Sequence, residues 1–78
     1  MKNYLKQERT SQKITQSELA EMVNVSRQSI ISIESNRYIP SVLLSLKIAR
    51  VLGKQIEDLF DLEESDWHLN KEYRYPTT

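Results

Sequence analysis

One stretch of the chain, residues 24–37, combines hydrogen-bonding and apolar side chains at helical spacing. Arg27 and Gln28 stand at its start, Ser32 follows one turn after Gln28, and Ile30 and Ile33 lie three residues apart. Arginine offers a planar fork of donors, and glutamine offers both a donor and an acceptor. If the stretch is a helix, the isoleucines face inward and the three polar side chains face outward. The pattern predicts a short rigid rod with a polar recognition face.

Cap residues divide the chain into five predicted helices. Serine or threonine before a helical run is typical of an N-cap, and asparagine or glycine after it is typical of a left-handed end. The helices are predicted at residues 3–12, 16–23, 27–35, 42–52 and 55–60. The predicted caps are Thr15, Ser26, Ser41, Asn24, Asn36 and Gly53. In the fourth helix the apolar positions are Val42, Leu43, Leu46, Ile48, Ala49 and Leu52.

The composition excludes several kinds of site. The 78 residues include no cysteine and one histidine, His68, so thiolate and multi-histidine metal centres within one chain are excluded. No Ser/His/Asp set and no glycine-rich phosphate loop occurs, so we expect no enzyme, no metal and no cofactor. No apolar run approaches the ~20 residues of a membrane span. A soluble, cytoplasmic protein without membrane contact is expected.

The charges are unevenly distributed although they sum to zero. Residues 1–54 hold nine Lys/Arg against four Glu, a net of +5, and residues 55–78 hold two against seven acidic residues, a net of −5. Screening limits each charge to a range of roughly 8 Å, so the local sign matters more than the total. The sequence predicts a cationic head and an acidic end.

Two short helices joined by a tight turn, the second with a polar start, form a helix-turn-helix. Such a rod fits the major groove of DNA. There Arg27 can bond guanine O6 and N7, and Gln28 can bond adenine N6 and N7. The sequence therefore predicts a protein that binds double-stranded DNA.

The chain resembles the XRE, or phage Cro/C1 repressor, family over about residues 2–60. The resemblance is carried by Gln16, Ala20, Asn24, Val25, Ser26, Ile30, Glu34, Pro40 and Ser41. It implies an all-α, compact five-helix, lambda-repressor-like domain at residues 1–61, followed by an acidic and aromatic extension at residues 62–78.

The family pattern also implies roles for individual residues. By resemblance Arg27, Gln28 and Ser32 are the base-reading residues, and the phosphate contacts are Gln16, Ser26, Asn36 and Arg37. The family's internal ion pair corresponds to Arg9 and Glu34. The sequence departs from the family where glycine is frequent, at Lys13, Asn24 and Asn36, and Lys13 is expected to need an unusual backbone there.

The sequence of the C-terminal extension is consistent with two alternative structures. Trp67, Leu69, Tyr73 and Tyr75 fall at odd positions, as on one face of a strand or hairpin, and a disordered tail is the alternative. Leu59 and Phe60 need burial, and a small monomer has few elements left to cover them. We therefore expect a homodimer interface at Leu59, Phe60, Leu62 and Trp67.

Two functions from different classes are consistent with the sequence. The first is a homodimeric, sequence-specific transcriptional regulator, a repressor that binds a palindromic operator. The second is an antitoxin-like or protein-interaction module, in which the C-terminal extension binds a regulatory protein partner.

Overall fold

The computed structural model describes residues 1–68 of the chain, and within them five α-helices surround one core. The helices are α1 (Leu5–Ser11), α2 (Gln16–Val23), α3 (Arg27–Glu34), α4 (Val42–Leu52) and α5 (Ile56–Leu59). A 3₁₀-helix at Glu64–His68 follows. Two short strands, β1 (Lys2–Asn3) and β2 (Phe60–Asp61), complete the described chain. The predicted five-helix fold is confirmed.

The helix ends form where the cap residues predict them. Thr15 and Glu18 form a reciprocal capping box at the start of α2, and Ser26 and Ser41 accept backbone N–H bonds at the starts of α3 and α4. The chain turns left-handed at Asn24, with φ 60°, and at Asn36, with φ 61°. Gly53, with φ 66°, ends α4. Lys13 also has a positive φ, 59°, as its place in the family pattern implied.

The core is apolar and draws on every helix. Each of the five helices contributes at least one side chain that is fully buried. These side chains are Leu5, Leu19, Ile30, Ile33, Ile48 and Leu59. The isoleucines of α3 are therefore inside, as their spacing predicts. Burying them holds α3 in one orientation relative to α2 and α4.

The two strands were not predicted. Lys2 lies opposite Asp61 and Asn3 opposite Phe60 in an antiparallel pair, and the Tyr4 N–H donates to the Leu59 carbonyl at 2.8 Å. Two residues are too few to show the alternation that marks a strand in a sequence. The first helix begins at Leu5 and not at Asn3, because Asn3 enters β1 and its side chain accepts the Leu5 N–H.

The expectation that Leu59 and Phe60 need a partner for burial is wrong. Leu59 is 0% and Phe60 8% exposed within a single chain, because α5 packs against the core and β2 pairs with β1. Leu62 and Trp67, in contrast, are more than half exposed.

Trp67 lies in the 3₁₀-helix and not on a strand. The other residues of the predicted strand, Leu69, Tyr73 and Tyr75, lie outside the described residues. None of the helices within residues 1–68 combines the length and apolar composition that a membrane span requires.

Candidate nucleic-acid interface

The turn between α2 and α3 takes three residues, and each has a structural role. The Asn24 backbone N–H bonds the carbonyls of Ala20 and Glu21 in a left-handed cap. The Val25 N–H then donates to the Ala20 carbonyl at 2.9 Å, and the Val25 side chain packs against the core. Ser26 starts α3 by accepting the Ser29 N–H at 3.1 Å. These local bonds fix the angle between the two helices.

The outward face of α3 carries the polar side chains that the sequence singled out. Arg27 and Gln28 are exposed, and Ser32 is half-buried one turn further on. Ile30 and Ile33, on the opposite face, are 0% exposed. The first turn of α3 therefore presents an arginine fork and an amide on a backbone that the core holds still.

A hydrogen-bonded network joins this face to the core. Arg9 donates to both carboxylate oxygens of Glu34, from Nε at 2.7 Å and from Nη2 at 3.0 Å. The side chains of this pair are 8% and 5% exposed. Gln16 Nε2 also donates to Glu34, at 3.1 Å, and Gln16 Oε1 lies 3.5 Å from the Arg27 guanidinium. The buried pair thus orients Gln16, and Gln16 lies beside Arg27.

The N-terminus of α2 opens into a shallow concavity of about 440 Å³. Its lining residues are Arg9, Thr15, Gln16, Ser17 and Arg27. The first N–H groups of a helix have no partner within the helix and carry the positive end of its dipole, so they favour an anion such as phosphate.

The capping box occupies one side of this helix start. The Thr15 N–H donates to the Glu18 carboxylate at 2.8 Å, and this bond lowers the pKa of Glu18. The ionised Glu18 carboxylate and the Thr15 hydroxyl thus hold each other's backbone N–H and keep the α2 terminus in place.

The loop after α3 continues the polar surface. Asn36 and Arg37 are exposed, and the Arg37 N–H donates to the Ser32 carbonyl at 2.9 Å. This bond places the loop against the end of α3. The Ser26 hydroxyl accepts the Ser29 N–H and also lies 3.0 Å from the Ser29 hydroxyl, with which it shares a hydrogen bond.

Tyr38 also belongs to this surface, although the helix-turn-helix pattern did not predict it. Its side chain is 46% exposed. It lines a depression of about 260 Å³ with four residues of the N-cap and outward face of α3, namely Ser26, Gln28, Ser29 and Ser32. The signal available in the sequence was its position directly after Asn36 and Arg37.

The family model described as Helix-turn-helix matches residues 5–59 of the chain. The chain belongs to the helix-turn-helix family. The match is of the XRE and Cro/C1 type that the motif residues resembled, and it covers α1 to α5. The family is one of DNA-binding regulators and not of enzymes. Among residues 1–68, moreover, no group of three or more potential ligands is placed to hold a metal ion.

Several curated relatives extend over nearly the whole domain. An HTH-type transcriptional regulator of Methanocaldococcus jannaschii is 47% identical over 66 residues, 85% of this chain and 100% of that protein. One of Methanothermobacter thermautotrophicus is 48% identical over 65 residues, 82% of this chain and 94% of its own. The regulator YgzD of Bacillus subtilis is 42% identical over 66 residues, 85% of this chain and all of that protein. The chain is thus similar to small helix-turn-helix proteins of archaea and bacteria.

Proposed function

We propose that this helix-turn-helix protein is a transcriptional repressor that binds a palindromic DNA operator as a homodimer. The observation that supports the proposal is the rigid, outward start of α3, where Arg27 and Gln28 lie beside the anion-favouring start of α2. Its site of action is the cytoplasm, where DNA is accessible. Residues 1–61 form the DNA-binding domain in this proposal, and residues 62–78 form an accessory extension.

In the proposed complex α3 enters the major groove. Arg27 and Gln28 read base edges from its first turn, and Ser32 contacts a base one turn later. Gln16, at the α2 terminus, bonds a backbone phosphate. On the other side of the groove, phosphates are bound by Ser26, Asn36 and Arg37.

A repressor needs no separate effector domain, because occupying an operator blocks transcription by itself. One helix-turn-helix contacts only a few base pairs, whereas two copies with recognition helices about 34 Å apart read successive major grooves. The palindrome and the dimer therefore follow from the same geometric requirement.

The test separates base reading from phosphate binding. Arg27→Ala and Gln28→Ala are each expected to cost about 1–3 kcal/mol at one base pair of the half-site and to relax the sequence preference there. Gln16→Ala is expected to weaken binding to all sequences alike. Binding sites are first selected from random DNA with the wild-type protein, and affinities for single-base variants are then measured.

Gln7→Ala is the matched control, because Gln7 is an exposed glutamine on α1. It should leave both affinity and base preference unchanged. If Arg27→Ala and Gln28→Ala retain the wild-type preference at every base pair, α3 is not the reading helix.

A second proposal concerns the extension. Leu62 and Trp67 are 56% and 58% exposed, so a regulatory protein could be bound there, as in an antitoxin-like module. Under this proposal Leu62→Glu abolishes capture of the partner and leaves operator affinity intact. If Leu62→Glu lowers operator affinity as strongly as it lowers capture of the partner, Leu62 belongs to the DNA-binding assembly instead.

A further inference from the structure

The side chain of Asn3, in β1, bonds the C-terminal end of α3. Its Nδ2 donates to the Ile33 carbonyl at 2.6 Å, across a separation of 30 residues in the chain. That carbonyl is among the last four of α3, which have no partner within the helix. Because Ile33 is 0% exposed, water cannot supply the partner, and a side chain from β1 does so instead.

The Asn3 amide is bonded at both of its ends. Its Oδ1 accepts the Leu5 N–H at 2.9 Å, so the oxygen points to the start of α1 and the nitrogen to Ile33. The backbone of Asn3 pairs with Phe60 of β2, which is 8% exposed. The donor is therefore held in place by α1 and by β2, independently of α3.

The Ile33 carbonyl also holds the loop that follows α3. It accepts the Asn36 N–H at 3.1 Å, at the point where the chain turns left-handed with φ 61°. A carbonyl oxygen has two lone pairs, and Asn3 and Asn36 each donate to this one oxygen. The position of β1 therefore helps to determine where the loop with Asn36 and Arg37 begins.

We propose that Asn3 is a positioning residue for DNA backbone binding, because through the Ile33 carbonyl it holds Asn36 and Arg37 where they meet phosphates. The inference rests on the proposed function, in which those two residues bind the DNA backbone. Asn3 itself does not touch DNA. It raises affinity because a loop that is already ordered in the free protein loses less conformational entropy on binding.

The variant Asn3→Asp reverses one of the two amide bonds and keeps the other. The carboxylate still accepts the Leu5 N–H, but it presents a second acceptor to the Ile33 carbonyl, at the negative end of the α3 dipole. Affinity for every DNA sequence should fall roughly tenfold, the effect of losing one hydrogen bond to a charged group. Base preference at the positions read by Arg27 and Gln28 should be retained.

Gln12→Glu is the matched control. The Gln12 Nε2 donates to the Leu52 carbonyl at 2.8 Å, and Leu52 is the last residue of α4. The change again replaces an amide by a carboxylate at the C-terminus of a helix and alters the net charge equally, but no proposed phosphate contact follows α4. DNA affinity should stay close to that of the wild-type protein.

A double-mutant cycle separates positioning from a general loss of stability. If Asn3 acts through the loop, Asn3→Asp should lower affinity much less in an Arg37→Ala background than in the wild-type protein. In an Arg27→Ala background the loss should keep its full size, because Arg27 lies at the other end of α3. Affinities are measured by fluorescence anisotropy at a temperature at which circular dichroism shows every variant folded. Losses that add fully in both backgrounds contradict the proposal.

Amide hydrogen exchange without DNA tests the contact itself. The Asn36 N–H should exchange about tenfold faster in Asn3→Asp than in the wild-type protein, and Gln12→Glu should leave it unchanged. Asn3→Ser serves if Asn3→Asp does not fold, because its hydroxyl can keep the turn bond to Leu5 but is too short to reach Ile33. Unchanged exchange at Asn36 in Asn3→Ser overturns the proposal.

The proposed DNA function fails in a different way. A wild-type protein without sequence preference contradicts the repressor proposal, and faster exchange at Asn36 in Asn3→Ser would still assign the position of the loop to Asn3. A wild-type protein that binds a selected operator, together with an Asn3→Ser variant of equal affinity, leaves the repressor proposal supported and overturns the role of Asn3.

Discussion

Lys13 stands where the backbone turns left-handed between α1 and α2. Its φ is 59°, and its N–H donates to the Thr10 carbonyl at 3.0 Å. A residue with a side chain in this conformation destabilises the fold by roughly 1–2 kcal/mol. Glycine avoids this strain, but its greater freedom in the unfolded chain offsets part of the gain. Lys13→Gly should therefore stabilise the fold by about 0.5–1 kcal/mol in urea unfolding.

The comparison for Lys13 is Asn24→Gly, at another left-handed position. Asparagine adopts this conformation at little cost, so that change should gain less than Lys13→Gly. Equal gains at both positions would show that the lysine backbone is unstrained.

The Arg9–Glu34 pair predicts strong coupling between two residues. Both side chains are almost fully covered, so removing one leaves a buried charge without its partner. Arg9→Met and Glu34→Leu should each cost about 3–5 kcal/mol, and the double variant should cost clearly less than their sum. The free energies of unfolding of the wild-type protein, the two single variants and the double variant are measured by urea unfolding at a fixed protein concentration.

The control pair is Lys54 and Glu8, 3.4 Å apart and partly exposed. Such a surface pair contributes about 0–1 kcal/mol, so Glu8→Gln should have little effect. If the Arg9 and Glu34 changes simply add, the pair is not the link between α1 and α3 that its geometry indicates.

At the scale of elements, the sequence predicted what local chemistry determines. Thr15, Ser26 and Ser41 mark helix starts because their hydroxyls bond N–H groups two or three residues away. The inner face of α3 was predictable because Ile30 and Ile33 repeat at the helical period. The polar face opposite them follows from the same pattern.

The elements that escaped prediction depend on distant parts of the chain. β1 exists because residues 60–61 reach it after five helices, and no local signal announces such a pair. The outward exposure of Val42, Leu43 and Leu46 depends on which side of α4 meets the core. Leu59 and Phe60 were predicted to lie in a dimer interface for the same reason, because the elements that bury them are far away in sequence.

Ion pairs connect the 3₁₀-helix and the residue before it to the N-terminus of the chain. The Met1 ammonium group donates to Asp66 at 3.1 Å and to Glu63 at 3.2 Å. The bond to Asp66 raises the pKa of the Met1 ammonium. The Glu63 N–H, and then the Met1 ammonium, lower the pKa of Asp66.

These shifts predict the pH range over which the contact stabilises the fold. The contribution of Met1 is complete below its ordinary pKa and is lost as pH rises through the raised one. That of Asp66 is present above its ordinary pKa and is lost as pH falls through the lowered one. Fluorescence of Trp67, the single tryptophan, should therefore change at alkaline pH, and Asp66→Asn should remove that change.

Asp61→Asn serves as the control for the pH titration, because it removes an exposed carboxylate from β2. It should keep the alkaline transition of the wild-type protein. A transition that persists both in Asp66→Asn and in the double variant Asp66→Asn, Glu63→Gln would belong to another group, because these two carboxylates are the Met1 partners.

At the scale of the whole molecule, the separation of charge outweighs the neutral total. The net charge of +5 in residues 1–54 includes Arg27 and Arg37, which are exposed on the surface proposed to face DNA. Binding should therefore release counterions, and log affinity should fall linearly with log salt concentration, by about 0.9 per phosphate neutralised. Arg37→Ala should reduce that slope by about one, measured by fluorescence anisotropy between low and physiological salt.

Lys6→Ala is the control for the slope, because Lys6 is an exposed cation on α1. It should leave the salt dependence close to that of the wild-type protein. An affinity that does not change with salt would be incompatible with docking on the DNA backbone.

The pairing of β1 with β2 has a consequence for the order of assembly during synthesis. Lys2 and Asn3 leave the ribosome first, but Phe60 and Asp61, their partners, are made last among the core elements. At 5–20 residues per second, translating residues 35–61 takes roughly 1–5 s. Contacts between α2 and α3 are local and form quickly, whereas closure of the sheet waits for the end of translation. In the nascent chain, contacts between α2 and α3 should therefore begin to form before β1 pairs with β2.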